Sequence, residues 1–263
     1  MNKNSIGYIV ALVVALCLVC SAMVSIAAIG LRERQQHNIQ LERSANLLAA
    51  AGLLDMRQAG AKERVAELLQ HVETRLVDLR TGKLTTAVDP DVYDQLAALG
   101  DAAQSSELAA VDDIASLGWR EHYGKVYLVK TPDGALDALV LPVRGYGLWS
   151  TMYGFIALES DLNTVRGFGF YQQGETPGLG GEVDNPKWKS LWPGKKLFDA
   201  NGKPVLAIVK NPNPQGRDYI HQVDALSGAT LTSMGVDNLI SFWMGQLGYG
   251  GFLTKLRTKE ISL

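Results

Sequence analysis

The sequence predicts a mixed helix and strand domain (α+β, or mixed α/β) anchored by one N-terminal transmembrane helix. Residues 6–31 carry no charge, and several runs after Trp119 alternate apolar and polar side chains as strands do. The 263 residues, with 47% apolar and 20% charged side chains, are enough for a sizeable core and exclude a disordered chain. A formal net charge of −2 gives no basic surface for nucleic acid.

The first predicted element is the uncharged run of 26 residues at 6–31. At a rise of about 1.5 Å per residue, such a helix crosses a hydrocarbon core about 30 Å thick. The apolar part of a cleaved signal peptide is normally only about 7–15 residues long, so a retained transmembrane helix is the better prediction. Cys17 and Cys20 lie inside this run. Their C-x-x-C spacing lacks a second pair of ligands, so we expect them to act as small apolar side chains.

The charges that flank this run leave its orientation open. Lys3 precedes the run, and Arg32, Arg34 and Arg43 follow it. Taken literally, the positive-inside rule places the large domain in the cytoplasm. The same rule is weak for long translocated domains, so the charge count alone does not decide the side.

The region after the membrane helix is predicted to be mostly helical. A helix continues to about Leu54, and an apolar stripe with the spacing i, i+3, i+4, i+7 predicts a second helix. The residues of this stripe are Val65, Leu68, Leu69 and Val72. The alternating run RLVDLRTGKLTTA predicts a hairpin around Thr81 and Gly82. Residues 89–117, rich in alanine and acidic side chains, are predicted to be helical but weakly specified.

Strands dominate the last part of the chain. They are predicted at residues 125–130, 138–143, 152–160, 164–173 and 205–210, and the first two are joined by a Pro132-Asp133-Gly134 turn. We therefore divide the chain into a transmembrane helix at 1–31, a mostly helical juxtamembrane support region at 32–118 and a domain at 119–263.

A helix near the C-terminus is predicted to close this domain. Thr232 or Ser233 is its expected N-cap, and Gly248 is expected to end it. Its predicted buried face consists of Val236, Leu239, Ile240, Trp243 and Leu247.

The usual signals of an enzyme active site are missing from the sequence. The four histidines (His37, His71, His122 and His221) lack metal-ligand spacing, and there is neither a P-loop nor a G-x-G-x-x-G motif. The string A-L-S-G-A at 225–229 is a weak match to a nucleophile elbow, because alanine replaces both glycines. A membrane-tethered hydrolase would need Ser227 with a nearby base that the sequence does not supply. We expect no catalytic acid or base and no metal site.

Two segments are instead candidates for binding a ligand. The first, GETPGLGGE at 174–182, has enough glycine for backbone N–H groups to approach a flat or anionic ligand, although a long turn explains it equally simply. The second, DALSGATLTS at 224–233, places four hydroxyl residues before a predicted helix, whose N-terminus favours a phosphate. An ordinary capping segment is the alternative for this string.

At these residues the sequence resembles the NqrC family, a flavin-carrying subunit of the bacterial Na⁺-translocating NADH:quinone reductase. The string D-x-x-S-G-A-T-x-T-S at 224–233 is similar to the flavinylation motif of that complex and of the related Rnf complex. The resemblance continues through GYGLWSTMYGFIAL (145–158), GETPGLGGEV (174–183), GKKLFD (194–199) and GFLTKLR (251–257). It covers nearly the whole chain, and these blocks in order separate it from the Rnf subunit.

The resemblance implies an FMN-binding domain at 119–263, with FMN attached covalently through a phosphoester to Thr230. Further cofactor-binding residues follow from the same motif: Asp224, Ser227, Gly228, Ala229 and Thr232, with Ser227 and Thr232 as hydrogen-bond donors to the phosphate. The blocks that the family places near the flavin ring add Trp149, Glu175, Thr176, Gly178, Leu179 and Gly180. Lys210 is a weaker candidate for the phosphate or the ring. Tyr146 departs from the smaller residue that is usual in the family at that position.

The function implied is electron transfer within a six-subunit membrane complex. Electrons from NADH would pass through this FMN to a second covalent FMN on a neighbouring subunit, and onward to riboflavin and ubiquinone, with Na⁺ export. Implied partners are subunits B, D and E, of which the first bears the second FMN, and a Mg²⁺-dependent flavin transferase that uses FAD. The family places the flavin domain on the periplasmic side of the inner membrane. The alternatives are a flavin-free periplasmic sensor or scaffold with a helical stalk, and the Rnf subunit.

Overall fold

The computed structural model describes residues 6–263, and the chain forms two compact units, Met1–Arg43 and Ser44–Leu263. Lys3, one of the charges considered for orientation, lies outside the described residues. Helix α1 (Ile6–Ala50) supplies the first unit, and its most apolar stretch has no buried residue. By length and composition this helix can cross a membrane, as the sequence predicted.

The second unit begins with the end of α1 and contains both helices and strands. Its further helices are α2 (Val65–Leu69), α3 (Pro186–Lys189), α4 (Thr230–Met244) and α5 (Gly250–Arg257), with 3-10 turns at Lys62–Arg64, Gly180–Asp184 and Arg217–His221. Its strands are β1 (Val72–Asp78), β2 (Lys83–Thr85), β3 (Ser105–Glu107), β4 (Trp119–Glu121), β5 (Tyr123–Lys130), β6 (Leu136–Tyr146), β7 (Thr151–Glu159), β8 (Val165–Gln172), β9 (Ala207–Val209) and β10 (Gln222–Asp224). The predicted mixed α and β fold is confirmed.

A six-stranded sheet with the order β2-β1-β5-β6-β7-β8 forms the centre of this unit. Neighbouring strands are antiparallel, and the hairpins β1–β2 and β5–β6 lie where the sequence predicted them. The two further strands predicted at 152–160 and 164–173 pair as β7 and β8. Two small sheets accompany it: β3 with β4, antiparallel, and β9 with β10, parallel. The long β6 and β7 pair from Ala138 with Glu159 to Tyr146 with Thr151, which carries the end of β6 out to the candidate site.

Side chains alternate between the two faces of the sheet, and both faces are covered. Met152, Ile156 and Leu158 of β7 belong to the main hydrophobic core, which also includes the buried side of α4. On the other face, the backbone at the end of α1 lies against the sheet, since a Cβ on Gly167 of β8 would collide with the carbonyl oxygen of Ala50. The end of α1 therefore covers part of one face, and α4 packs on the other.

Helix α4 packs close to β6 because each of the two elements contributes a glycine to the contact. A Cβ on Gly145 would lie 2.8 Å from Cβ of Leu239, and a Cβ on Gly235 would lie 2.5 Å from the carbonyl oxygen of Tyr146. Further along the helix, the indole Nε1–H of Trp243 donates to the carbonyl oxygen of Arg144 at 2.7 Å. These contacts fix the start of α4 beside the end of β6.

The predicted helices at 65–72 and 89–117 are wrong in part. Helix α2 ends at Leu69, and Val72 opens β1, which pairs with β5. Within 86–118 the structure has turns and β3 instead of a helix. Aspartates cause this: for example, the carboxylates of Asp94 and Asp101 accept N–H groups two residues ahead, a local bond that competes with the helix.

The six-stranded sheet draws strands from both sides of position 118. The predicted boundary at 118 therefore does not coincide with a boundary between sheets. The division into a membrane helix, a support region and an FMN-binding domain stays a prediction. Helix α4 also differs from its prediction: it begins at Thr230, its N-cap is Ala229 with no side-chain bond, and it ends before Gly245. Helix α5 after it was not predicted.

Candidate functional site

Three segments that are distant in sequence meet at the start of α4. They are the loop after β6 (147–150), the glycine-rich loop after β8 (174–181) and the hydroxyl-rich segment after β10 (225–233). The residues that the family resemblance singled out lie on these three segments, except for Asp224 and Lys210, which lie at the ends of β10 and β9. The topology of the sheet thus assembles most of the predicted site.

The Glu175 carboxylate occupies the point where the segments meet. It accepts three successive backbone N–H groups, from Leu148 at 3.1 Å, Trp149 at 2.9 Å and Ser150 at 3.2 Å. The hydroxyl of Thr232, in the first turn of α4, donates to Oε2 of Glu175 at 2.7 Å. Glu175 is only 5% exposed and Thr232 only 1%. One buried carboxylate therefore connects all three segments.

These donors also determine the acidity of Glu175. Burial by itself raises the pKa of the carboxyl group, but the N–H of Trp149, the hydroxyl of Thr232 and the N–H groups of Leu148 and Ser150 outweigh it. The net result is a pKa below the ordinary glutamate value. Glu175 is therefore a carboxylate at neutral pH.

Glycines make this convergence possible. A Cβ on Gly147 would lie 2.6 Å from Oε1 of Glu175, and a Cβ on Gly180 would collide with the hydroxyl oxygen of Thr232. Real Cβ atoms essentially never come so close, so each position accepts only glycine without a shift of its neighbours. Gly180 is thus a predicted site residue whose role is to leave space.

The four hydroxyl residues of the segment 227–233 divide into two pairs. Ser227 and Thr230 are exposed, whereas Thr232 and Ser233 are buried. The hydroxyl hydrogen of Thr232 is donated to Glu175, and the Ser233 Oγ accepts the N–H of Leu226 at 3.0 Å. The hydroxyl hydrogen of Thr232 is therefore engaged by Glu175 in this structure, and the phosphate-donor role that the resemblance implied for Thr232 stays a prediction.

Thr230 is the first residue of α4 and is followed by a first turn rich in backbone donors. The N–H groups of a first helical turn have no intrahelical acceptor, and the methyl side chain of the N-cap residue Ala229 cannot cap them. Gly228 has φ +75°, a left-handed conformation that suits glycine, and the small Gly228 and Ala229 leave the Thr230 side chain open to solvent. An anion at Thr230 would lie at the positive end of this helix.

Large apolar side chains are exposed around Thr230. Trp149 is 66% exposed and Leu179 47%, and a Cβ on Gly228 would lie 3.4 Å from Cδ2 of Leu179. Further exposed members of this group are Tyr146, Leu148, Leu231 and Met234. An exposed apolar group of this kind marks a binding surface rather than an ordinary protein surface.

The remaining predicted residues support the loops or stand apart. The carboxylate of Asp224 accepts the N–H of Asn211, which ties the ends of the two strands of the small parallel sheet. The carbonyl of Thr176 accepts the N–H groups of Leu179 and Gly181, and Gly178 has φ +77°. Lys210 is exposed after β9 and makes no ion pair within the described residues.

Sequence reasoning missed two sets of residues at this site. Leu231 and Met234 lie on the outer side of an amphipathic helix, where a large exposed apolar residue is the signal that could have identified them. Ser150 Oγ and Gln173 Oε1 accept the N–H groups of Gly174 and Glu175 at 2.7 and 2.6 Å. These two acceptors hold the glycine-rich loop in place and carry no sequence signal.

The residues present fit FMN. Exposed apolar side chains suit the flat ring system, and the open first turn of α4 suits a phosphate. The fold and the site thus define a membrane-anchored protein with an FMN-binding domain, and the family model described as FMN-binding domain matches residues 147–245. That range runs from the loop after β6 to the end of α4.

Comparison with known proteins extends the match to the whole chain. The NqrC subunit of the Na⁺-translocating NADH-quinone reductase of Pseudomonas aeruginosa is 54% identical over 260 residues, covering 98% of this chain and 99% of that protein. The same subunit of Yersinia pestis is 45% identical over 256 residues, covering 97% and 95%. The crystal structure of NqrC from Shewanella oneidensis aligns with a TM-score of 0.72 at 36% identity, over 82% of this chain and 96% of that one.

The chain belongs to the NqrC family of Na⁺-translocating NADH-quinone reductase subunits. It is accordingly a flavoprotein subunit of an oxidoreductase complex of the membrane, with an FMN-binding domain and an N-terminal apolar helix. The resemblance inferred from the sequence is confirmed. The family assignment replaces the two alternatives, a flavin-free sensor or scaffold and the Rnf subunit.

Proposed function

We propose that this subunit carries FMN covalently, through a phosphoester to the hydroxyl of Thr230, and relays electrons within the complex. The observation that carries the proposal is the position of Thr230: its side chain is exposed at the first residue of α4 and is surrounded by exposed apolar side chains. No other hydroxyl residue of the segment 227–233 combines these features.

The neighbouring hydroxyl residues are poorer attachment points. Thr232 and Ser233 are buried, and their hydroxyl groups already hold Glu175 and the N–H of Leu226. Ser227 is exposed, but it precedes the helix by three positions and lies outside its first turn. A phosphodiester on Thr230 gains from the helix dipole, by about 0.3–1 kcal/mol when exposed.

Attachment requires a reaction that the chain does not perform on its own. In the proposed reaction, a separate Mg²⁺-dependent flavin transferase directs the Thr230 hydroxyl to the FMN phosphorus of FAD. The Oγ–P bond forms, the pyrophosphate bond breaks, AMP leaves and the hydroxyl proton is released. The exposure of Thr230 beside Gly228 and Ala229 leaves room for such an enzyme to approach the folded domain.

The protein's part in the redox reaction is to hold and shield the flavin. FMN supplies the electron-carrying chemistry when bound, so no catalytic acid or base is needed. Trp149 and Leu179 would cover the ring system, and the N–H groups at the start of α4 would bind the phosphate. Thr176 and Gly178 shape the same loop, and Lys210 and Ser227 remain candidates for contact with the cofactor.

The proposed place in the complex follows the family. Electrons from NADH would arrive through other subunits and leave to the second FMN, on the other flavin-bearing subunit, with subunits D and E as the membrane neighbours. The exposed apolar group around Thr230 supports a partner nearby, since a flavin on a protein surface must come close to the next centre.

We also propose that the flavin domain lies on the periplasmic side of the inner membrane. The family resemblance supports this orientation, and the charges that flank the span do not exclude it, because the charge rule is weak for long translocated domains. Proteolysis of spheroplasts tests it: external protease should degrade the domain without lysis. Degradation only after lysis would place the domain in the cytoplasm.

A matched pair of threonine variants tests the attachment. Thr230→Val and Thr254→Val make the same change at exposed helical threonines, one at the start of α4 and one on α5. In cells that contain an active flavin transferase, we expect Thr230→Val to lose flavin fluorescence from the denatured subunit band, and Thr254→Val to keep it. Fluorescence retained by Thr230→Val would contradict the proposal.

A further inference from the structure

Glu175 has no acceptor capacity left for a ligand. A carboxylate offers about four lone-pair sites, and four protein donors occupy them: three N–H groups and one hydroxyl. The N–H groups of Leu148, Trp149 and Ser150 are successive, so this loop forms an anion-binding concavity of the kind that often holds a phosphate. Here the concavity already holds Glu175.

The negative charge of Glu175 is balanced by dipoles alone. Glu175 forms no ion pair with a lysine or arginine within the described residues. Its charge is therefore stabilised by the N–H groups at 148–150 and by the hydroxyl of Thr232. Removal of one donor from a buried carboxylate costs free energy, because the polar atom that it bonded stays buried without a partner.

The geometry around this carboxylate sets the spacing of the exposed residues. Trp149 is attached to the concavity through its own N–H, and Thr232 lies two residues after Thr230 on the same helical turn. Leu179 precedes Gly180, whose missing side chain lets the loop reach Thr232. Trp149 thus contacts the buried pair through its own backbone, and Leu179 and Thr230 are one and two residues away from such a contact.

We propose that Glu175 and Thr232 form a positioning pair that holds Trp149, Leu179 and Thr230 at fixed distances, without contact with the flavin. The inference rests on the proposed attachment of FMN at Thr230, and it changes the role of Glu175 and Thr232 from ligand contacts to supports. Loss of either member does not remove the Thr230 hydroxyl, although it releases Thr230 from its fixed distance to Trp149 and Leu179. The flavin is then still attached, but its surroundings are altered.

Two substitutions at Thr232 separate this role from ordinary packing. Thr232→Val keeps the shape and removes the hydroxyl donor, whereas Thr232→Ser keeps the donor and removes a methyl group. If Thr232 acts only through packing, Thr232→Ser should alter the flavin signals more than Thr232→Val. If its hydrogen bond to Glu175 positions the site, Thr232→Val should alter them more. The comparison needs no assumption about how strongly either variant is destabilised.

The test uses the full chain, produced in membranes together with the flavin transferase and solubilised in detergent. Visible circular dichroism and the midpoint potential of the bound flavin report its surroundings, and intact mass reports attachment. Glu175→Gln and Thr232→Val should keep the flavin mass and shift both signals in the same direction, and the double variant should shift them no further. Thr232→Ser should match the unsubstituted protein.

Glu182→Gln is the matched control for charge, because Glu182 follows the same loop and bonds Asn185 instead of the pair. A shift in Glu182→Gln equal to that of Glu175→Gln, or a shift in Glu175→Gln without one in Thr232→Val, would overturn the proposal. If Glu175→Gln does not fold, the valine and serine variants alone decide. Flavin retained in Thr230→Val would instead contradict the attachment site, an outcome that the pair variants do not produce.

Discussion

Two buried glutamates of the same domain are stabilised in opposite ways. Glu121 on β4 is fully buried and forms an ion pair with Arg144 at 2.6 Å, supported by the amide of Gln95. Glu175 is almost as buried and is held by backbone N–H groups and the hydroxyl of Thr232, with no basic partner among the described residues. Glu121 connects β4 to β6, whereas Glu175 connects the loops around the start of α4.

The difference follows from what each region must do. An arginine beside Glu121 balances its charge within the core, and the Arg144 carbonyl also accepts the indole N–H of Trp243 from α4. At the start of α4 a basic partner would compete with the first turn of the helix for a bound phosphate. Dipoles stabilise Glu175 while leaving that positive end available.

The largest effect is expected from breaking the ion pair. Arg144→Met leaves Glu121 buried without a cation, which typically costs about 3–5 kcal/mol. We expect that loss in the free energy of unfolding, measured in urea, with an unchanged flavin content per folded molecule. Glu121→Gln combined with Arg144→Met should recover part of the loss. A double variant as unstable as Arg144→Met would contradict this account of the pair.

An added methyl group at Gly180 should have a smaller effect on stability and a specific one on the site. Gly180→Ala forces a Cβ against Thr232 and to 2.9 Å from Oε2 of Glu175, and overpacking of this kind typically costs about 1–3 kcal/mol. We expect the visible circular dichroism of the flavin to change as well. In the control Gly169→Ala, the nearest atom is the flexible Lys189 Nζ at 3.4 Å, so little should change.

The charge of Glu175 predicts a dependence of stability on pH in acid. The pKa of Glu175 is lowered in the folded protein, so its stabilising contribution is present above the ordinary glutamate pKa and is lost as pH falls through the lower folded value. The stability advantage over Glu175→Gln should therefore be constant at neutral pH and shrink below about pH 4.3. An advantage independent of pH would show that the charge does not contribute.

The smallest effect is expected at Asp237, on the part of α4 that packs against β9. Burial raises the pKa of Asp237, and the N–H of Ile208, 2.6 Å away, offsets only part of this rise. A raised pKa means a contribution that is lost as pH rises through the folded value. Asp237→Asn keeps an acceptor for Ile208, so it should equal or exceed the unsubstituted protein in stability at pH 7. A clear loss of stability in Asp237→Asn at pH 7 would contradict the raised pKa of Asp237.

The sequence predicts the strands of this fold better than its helices. Alternation identifies β5, whose side chains are alternately buried and half-buried over most of its length, and apolar runs identify β6 and β7, which are buried on both faces. The Pro132-Asp133-Gly134 turn marks the hairpin between β5 and β6. The helix predicted over 89–117 is wrong because its alanines suggest a helix, whereas its aspartates bond to nearby backbone in turns. Composition does not reveal which of these two tendencies prevails.

The candidate site shows the same limit. The family motif identifies Thr230 and the loop residues by number, but burial separates them into two layers that no local pattern distinguishes. Thr230 and Thr232 have the same chemistry and lie two residues apart, yet one is exposed and the other is buried. That difference depends on the rotation of α4 against β6, which the contacts at Gly145 and Gly235 determine.

The measurement that tests this two-layer account most directly is the position of the flavin within the tryptic peptide 218–255 of the protein from its native membrane. The peptide contains Ser227, Thr230, Thr232 and Ser233 in one fragment, so fragmentation in the mass spectrometer compares them under identical conditions. We predict the mass of one FMN less one water on Thr230 alone. The same mass on the buried Thr232 or Ser233, or an unmodified peptide from membranes with an active flavin transferase, would contradict the account.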